Sequence, residues 1–117
     1  MTVDSIDSLQ DRLQRFAEER DWDQFHSAQN LSVALSVEAS ELLEIFQWMN
    51  EEEAKHLSDR KLAQAGEELA DVFVYTARLA DKLGVDLWEA VTQKIEKNES
   101  KYPAATVYGS AKKYTEY

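Results

Sequence analysis

Apolar residues recur at helical spacing along almost the whole chain, and no alternating strand pattern bounded by turn residues is convincing. The pattern predicts four long helices, which cover about residues 5–19, 31–49, 59–83 and 86–102. Gly84 suits the left-handed position after the third helix, and Asp86 with Glu89 three residues later suits the start of the fourth. We therefore expect an all-α domain that resembles a four-helix bundle.

The second predicted helix is apolar on most of its circumference. Its main stripe is joined on other faces by Val33, Val37 and Leu43. A helix of this kind is buried by neighbours on several sides, so we expect a second copy of the chain to complete the bundle. Periodicity fades after Ala104, which predicts a domain over residues 1–103 and a C-terminal tail or arm over residues 104–117.

Composition narrows the possible partners. A chain of 117 residues fits one domain, and its formal net charge of -10 disfavours binding to polymeric nucleic acid or to an anionic membrane surface. The absence of cysteine excludes disulfides and thiolate chemistry. No apolar run is long enough to span a membrane and the N-terminus is acidic, so we expect a cytoplasmic protein.

Two pairs of acidic residues lie where apolar residues are expected. Glu38 falls within the apolar stripe of the second helix with Glu41 one turn later, and Glu68 and Asp71 repeat the arrangement on the third helix. Burying an unpaired carboxylate costs several kcal/mol, and the apolar arcs of these helices offer no basic residue. Mg²⁺ prefers oxygen ligands, so we expect a magnesium site across the two helices.

Two other interpretations of these acids stay open. All four can be ordinary solvated charges at the edges of their helices, Glu41 and Asp71 especially. A di-iron site also uses helical carboxylates, but it requires a Glu-x-x-His motif from each of two helices. The chain has one such motif, Glu53 to His56, and it lies in a charged connector. We therefore favour magnesium.

The segments "SVEASELLEIFQW", "EELADVFVYTARLADKLGVDLWEAV" and "KIEKNESKYP" occur in this order between about residues 22 and 103. Together they resemble the all-α nucleoside triphosphate pyrophosphohydrolases of the MazG-like group, and within it the small dCTP-pyrophosphatase type. The resemblance implies Mg²⁺-dependent hydrolysis of a (deoxy)nucleoside triphosphate to a monophosphate and pyrophosphate. It also implies a homodimer or a dimer of dimers, and a house-cleaning role in the nucleotide pool with dNTPs such as dCTP as substrates.

The resemblance also assigns roles to individual positions. It implies that the metal-ligating and catalytic residues are Glu38, Glu41, Glu68 and Asp71, and that the substrate-binding residues are Trp22, Phe25, His26, Trp48, Tyr75, Lys94, Asn98 and Lys101. In this assignment the aromatic residues and His26 surround the base, and the residues of the last helix contact the phosphates. The chain departs from close relatives in "NESKYP", which has no arginine before Tyr102.

Two alternatives to this function are kept. One is a non-catalytic helical oligomer that binds nucleotide or protein as a regulator. The other is a phosphohydrolase of the same fold that acts on a different metabolite containing a pyrophosphate group. Release of pyrophosphate from a nucleoside triphosphate distinguishes the enzyme from both.

Overall fold

The computed structural model describes residues 2–116, in which every regular element is helical. The α-helices are α1 (Ile6–Glu19), α2 (Ala28–Phe46), α3 (Glu51–Lys55), α4 (Asp59–Leu83), α5 (Leu87–Lys101) and α6 (Ala104–Val107), with 3₁₀ turns at Asp23–Phe25 and Tyr114–Glu116. The predicted all-α class is therefore confirmed. Each helix in this range is too short or too polar to cross a lipid bilayer.

Local capping sets the ends of the long helices. The side chain of Ser27 accepts a hydrogen bond from the Asn30 N–H, so α2 begins before the apolar stripe that predicted it. Ser58 caps α4 in the same way, and Gly84 ends that helix in the left-handed conformation with φ of 68°. The Asp86 side chain accepts from the Glu89 N–H and begins α5 as predicted.

Contacts divide the chain into two units, one ending at Gly84 and the other beginning at Val85. In the first unit α4 packs against both α2 and α1. The residues buried there are mostly small, namely Ala17, Leu31, Ala65, Ala77, Arg78 and Ala80. Alanines at the helix contacts allow close approach of the backbones, which brings side chains that flank the contacts near each other.

The second unit contains α5, α6 and the C-terminal 3₁₀ turn. Residues 104–107, within the predicted tail, form the short helix α6. The predicted boundary between a domain and a tail at residue 103 stays a prediction.

The expected burial of α2 on several sides is not achieved within one chain. Leu31 is its one buried residue, whereas Val33, Val37 and Leu43 are 57%, 49% and 63% exposed. On α4, Leu69 is also 56% exposed. Since the single chain covers α2 mainly through α4, burial of the remaining faces by a second copy stays a prediction.

Candidate active site

Three glutamates from two helices converge where α2 packs against α4. Glu38 and Glu41, one turn apart on α2, and Glu68 on α4 each offer a carboxylate oxygen within 4.8 Å of the others. All three side chains are half-buried. Three of the four acids that the sequence pattern pairs are therefore close together in the structure. We call them the acidic cluster (Glu38, Glu41 and Glu68).

The acidic cluster carries negative charge without a matching positive charge. One oxygen each of Glu38 and Glu68 is buried and has no hydrogen-bond partner among the described residues. Burial is the main cause that raises the pKa of Glu38 to about 7, and the neighbouring carboxyls of Glu41, Glu68 and Asp71 contribute to the same shift. Burial also raises the pKa of Glu68, partly offset by its hydrogen bond with Glu38. The ionised cluster is thus unfavourable on its own.

These properties fit a divalent cation. Hard oxygen donors on two helices, two of them buried without partners, are the ligand type that Mg²⁺ takes in proteins. Within residues 2–116, the ion pairs involve other acids and leave the three glutamates without a basic partner. Glu38, Glu41 and Glu68 could therefore hold the predicted metal.

Asp71 differs from the other three predicted acids. Its side chain is exposed, and it is not one of the three residues that converge. It is nevertheless close enough for its charge to raise the pKa of Glu38, Glu68 and Tyr75. The four acids therefore do not share a dry interior, and Asp71 lies at the rim of the acidic cluster.

A cavity of about 370 Å³ opens beside the acidic cluster. It is lined by Glu41 and Glu68 together with polar neighbours that include Lys61 and Gln64. The side-chain oxygen of Gln64 is buried and also lacks a partner among the described residues. The cluster is thus accessible to a polar ligand from this side.

A second cavity, of about 150 Å³, is mostly apolar and lies along the same helix. Trp22, His26 and Tyr75 line it together with Phe16 and Arg78. The rings of Phe16 and Trp22 are in edge-to-face contact, with centroids 5.8 Å apart. Burial raises the pKa of Tyr75, and the charges of Glu38 and Asp71 add to this effect. Tyr75 therefore connects the cavity to the acidic cluster, and we call this space the aromatic cavity (Trp22, His26, Tyr75, Phe16 and Arg78).

The other predicted base-binding residues lie elsewhere in the single chain. Phe25 is 58% exposed and Trp48 is 88% exposed, and neither lines the aromatic cavity. Of the predicted residues on α5, Lys94 and Asn98 are exposed and Lys101 is half-buried. These three belong to the second unit, where their spacing places them on one side of α5.

Arg78 is a buried basic residue that the sequence analysis did not identify. It lies on α4 with 2% of its surface exposed, contrary to the expectation that the apolar arc of this helix contains no basic residue. Its position is three residues after Tyr75 and seven after Asp71, so the helical spacing already places it on the face of those two. That spacing was the signal available in the sequence.

The charge of Arg78 is balanced by Asp23, before α2, and by Asp81, whose Oδ2 lies 3.9 Å from Arg78 Nη1, and not by the acidic cluster. Its Nη2 donates to Asp23 Oδ1 at 2.7 Å, its Nη1 donates to the side-chain oxygen of Gln14, and its Nε donates to His26 Nδ1 at 3.2 Å. Lys82 Nζ also donates to Asp23 Oδ1, at 2.6 Å. The Lys82 hydrogen bond is the main cause that lowers the pKa of Asp23. We call this set the Arg78 network (Gln14, Asp23, His26, Arg78 and Lys82).

Comparison with known proteins gives consistent results. The model of the MazG-like family matches residues 33–117. Over 103 residues, or 86% of this chain, the chain is 46% identical to dCTP pyrophosphatase 1 of Bos taurus and of Homo sapiens. The chain spans 61% of the length of these relatives. A solved structure of a pyrophosphatase from Archaeoglobus fulgidus superposes with a TM-score of 0.80 at 39% identity, over 88% of this chain and 96% of that one.

Proposed function

Because this chain belongs to the MazG-like family, we propose that it hydrolyses (deoxy)nucleoside triphosphates to monophosphates and pyrophosphate with the help of Mg²⁺. The observation that carries the proposal is the convergence of carboxylate oxygens from three glutamates. Two of these glutamates, Glu38 and Glu68, each have a buried oxygen without a hydrogen-bond partner among the described residues. Relatives named dCTP pyrophosphatase 1 support a dNTP such as dCTP as substrate.

Glu38, Glu41 and Glu68 would hold the metal, and Asp71 would complete the set from the rim. When bound, Mg²⁺ neutralises negative charge on phosphate oxygens and favours attack by water. The attacking water forms a bond to the α-phosphorus, and the bond from that phosphorus to the bridging oxygen of the leaving pyrophosphate breaks. A carboxylate of the set accepts the proton that the water loses.

The aromatic cavity would take the base. A volume of about 150 Å³ is the size that holds a single aromatic ring, which favours a pyrimidine. Stacking on an aromatic side chain such as Trp22 contributes ~1 to 3 kcal/mol. Tyr75, which borders both the cavity and the acidic cluster, would lie near the sugar and the first phosphate.

The exposed apolar surface supports a homodimer or a dimer of dimers. Ala39, Leu42, Leu43, Phe46 and Leu69 line an apolar groove of about 470 Å³ beside the helix that ends near Trp48. A second copy seated there would extend over Trp48, which follows Phe46 of the groove by two residues.

The remaining predicted residues would bind the phosphates. Lys94 and Lys101 provide positive charge on one side of α5, and Asn98 between them provides an amide donor. These contacts would offset the repulsion between a triphosphate and a chain with a net charge of -10.

The decisive experiment is product analysis. The protein is incubated with each dNTP and NTP in the presence of Mg²⁺, and pyrophosphate and orthophosphate are measured separately. We expect pyrophosphate and the monophosphate in equal amounts, with dCTP among the best substrates. Release of orthophosphate, or no turnover with any nucleotide, would contradict the proposal.

A further inference from the structure

One contact of Arg78 is with a side chain that has two neutral tautomers. Its Nη groups bind Asp23 and Gln14, whereas its Nε–H points at the ring of His26, with Nε and Nδ1 3.2 Å apart. Arginine is always protonated and has no acceptor, so the hydrogen bond requires a free lone pair on His26 Nδ1. The proton of a neutral His26 must then reside on Nε2.

The surroundings of His26 keep it neutral. The ring is half-buried, and burial is the main cause that lowers its pKa, followed by the charges of Arg78 and Lys82, with Asp23 opposing. Gln14 is the uncharged member of the network contributed by α1. His26 is therefore a neutral ring whose one donor is Nε2–H.

The same ring lines the aromatic cavity, whose wall otherwise consists largely of aromatic and aliphatic side chains. Among the described residues, no hydrogen bond uses the Nε2 of His26. The His26 Nε2–H is a hydrogen-bond donor beside this apolar cavity. It favours a ligand with a hydrogen-bond acceptor at that position and disfavours a ligand with a donor there. Arg78 reaches His26 through Nε, and its Nη1 and Nη2 each donate to another protein side chain.

We propose that Arg78 is a specificity-determining positioning residue: it fixes His26 as the Nε2–H tautomer, so that the aromatic cavity selects single-ring bases with an acceptor edge. The carbonyl oxygen and the unprotonated ring nitrogen of a pyrimidine such as cytosine are acceptors of this kind. This inference rests on the proposed function for its substrate, but the tautomer of His26 does not depend on any reaction.

The first test is NMR of the imidazole nitrogens of His26 in the full chain without nucleotide. We expect neutral His26 with the proton on Nε2 in the wild type at pH 8, because its pKa is lowered from the ordinary value. In Arg78→Met, which keeps an unbranched side chain without charge or donor, we expect a mixture of tautomers and a higher pKa. Lys82→Met is the matched control, because it removes a cation from Asp23 without touching His26, and it should preserve the tautomer.

The second test measures base selection by steady-state kinetics with Mg²⁺. Only the Nε2–H tautomer can donate to the base, so a mixture of tautomers should raise KM for dCTP about twofold in Arg78→Met, with kcat unchanged. The ratio of kcat/KM for dCTP over dATP should fall by a similar factor. Lys82→Met should leave that ratio unchanged, whereas His26→Phe should lower it as Arg78→Met does.

A double variant decides whether Arg78 acts through His26. If it does, Arg78→Met should have no further effect on the dCTP/dATP ratio once His26 is phenylalanine. Additive effects would overturn the proposal. So would a wild-type His26 that is protonated on Nδ1, or an unchanged tautomer in Arg78→Met. If Arg78→Met does not fold, Arg78→Lys, which keeps the charge but loses the planar fork, is measured in its place with an intermediate effect expected.

The inference and the proposed function can fail separately. If the wild type hydrolyses no nucleoside triphosphate, titration with dCMP is followed through the ring signals of His26. Shifts of the His26 ring signals with dCMP in the wild type, and an affinity for dCMP about twofold lower in Arg78→Met, would uphold the inference without catalysis. No response of His26 to dCMP would overturn it.

Discussion

Two groups of charged residues lie along α4 and differ in how their charge is balanced. The acidic cluster, near the middle of the helix, has three glutamates and no basic partner among the described residues. The Arg78 network, about three turns later, joins two cations to the carboxylate of Asp23 and two neutral acceptors, and Arg78 Nη1 also lies 3.9 Å from Asp81 Oδ2. The first group is incomplete without a ligand, whereas the second is complete within the protein.

This difference separates a binding site from a structural support. Burying charge is unfavourable unless a partner compensates, so an uncompensated cluster in a folded protein indicates a partner that is supplied from outside. A compensated network instead fixes the position of the elements that it joins. The Arg78 network joins α1, the 3₁₀ turn and α4 in this way.

The largest expected effect comes from the acidic cluster. Glu38→Gln removes a ligand charge and keeps the volume, so kcat for dCTP with Mg²⁺ should fall by about 10³-fold or more while helical content by circular dichroism is unchanged. Asp71→Asn tests the rim residue and should also lose most turnover. Glu51→Gln, on the exposed surface of α3, is the control and should keep the wild-type rate. Near-normal turnover in Glu38→Gln would remove that residue from the site.

Substitutions in the Arg78 network should change the stability of the fold more than kcat, whereas those in the acidic cluster change kcat and preserve the fold. Arg78→Met removes three side-chain hydrogen bonds at a buried position and should lower the free energy of unfolding by about 2 kcal/mol. Urea denaturation measures this loss. Asp23 keeps its contact with Lys82, so the variant should still fold. An unfolding free energy equal to that of the wild type would mean that Arg78 does not support the fold.

The pH dependence of the acidic cluster gives a smaller effect. The pKa of Glu38 is raised to about 7 in the folded chain from 4.5, so the folded state binds the proton more tightly than the unfolded state. Without metal, the wild type should therefore lose stability as pH rises from about 4.5 to 7 and stay lower above that range. Thermal melts should show Glu38→Gln melting a few degrees above the wild type at pH 8 and at the same temperature at pH 4.5.

Mg²⁺ should remove the stability difference by which the wild type melts below Glu38→Gln at pH 8. Because the metal binds the folded state, its addition at pH 8 should raise Tm for the wild type and not for Glu38→Gln. Equal responses of the two proteins to Mg²⁺ would show that the metal binds elsewhere.

The smallest effect concerns Asp23, whose pKa is lowered in the folded chain, whereas that of Glu38 is raised. The Lys82 hydrogen bond is the main cause that holds its pKa below the ordinary value of 3.8. The stability that ionised Asp23 contributes is therefore present above about pH 4. It is lost as the pH falls through the lowered pKa that Asp23 has in the folded chain. Asp23→Asn should flatten the acid limb of a plot of Tm against pH, and Asp11→Asn, exposed on α1, should not.

Helical spacing and capping residues carried most of the information about the fold. Gly84 and Asp86 correctly marked the end of α4 and the start of α5, because their effect on the chain is local. The bounds of α2 were shifted, since Ser27 begins the helix outside the apolar stripe. Helical spacing predicted that Glu38, Glu41 and Glu68 lie together, because they stand one turn apart on α2 and on the helix that packs against it. Asp71, the fourth predicted acid, does not converge with them.

The parts that could not be predicted depend on contacts between distant residues. Nothing in the local pattern pairs Arg78 with Asp23, which lies 55 residues earlier in the chain. An isolated arginine in a helix is usually solvated, so its spacing from Tyr75 indicates a shared face but not burial, which depends on the packing of α1 on α4. The exposure of Asp71 likewise depends on which side of α4 the other helices cover.

The exposure of Trp48 gives the protein a built-in optical reporter. It is one of three tryptophans in the chain, and 88% of its surface is open in the single copy. With Trp22 and Trp88 changed to phenylalanine, the remaining indole emission would shift to shorter wavelength as self-association removed water from the ring. Dilution series read by fluorescence would then give the dissociation constant of the assembly without any added label.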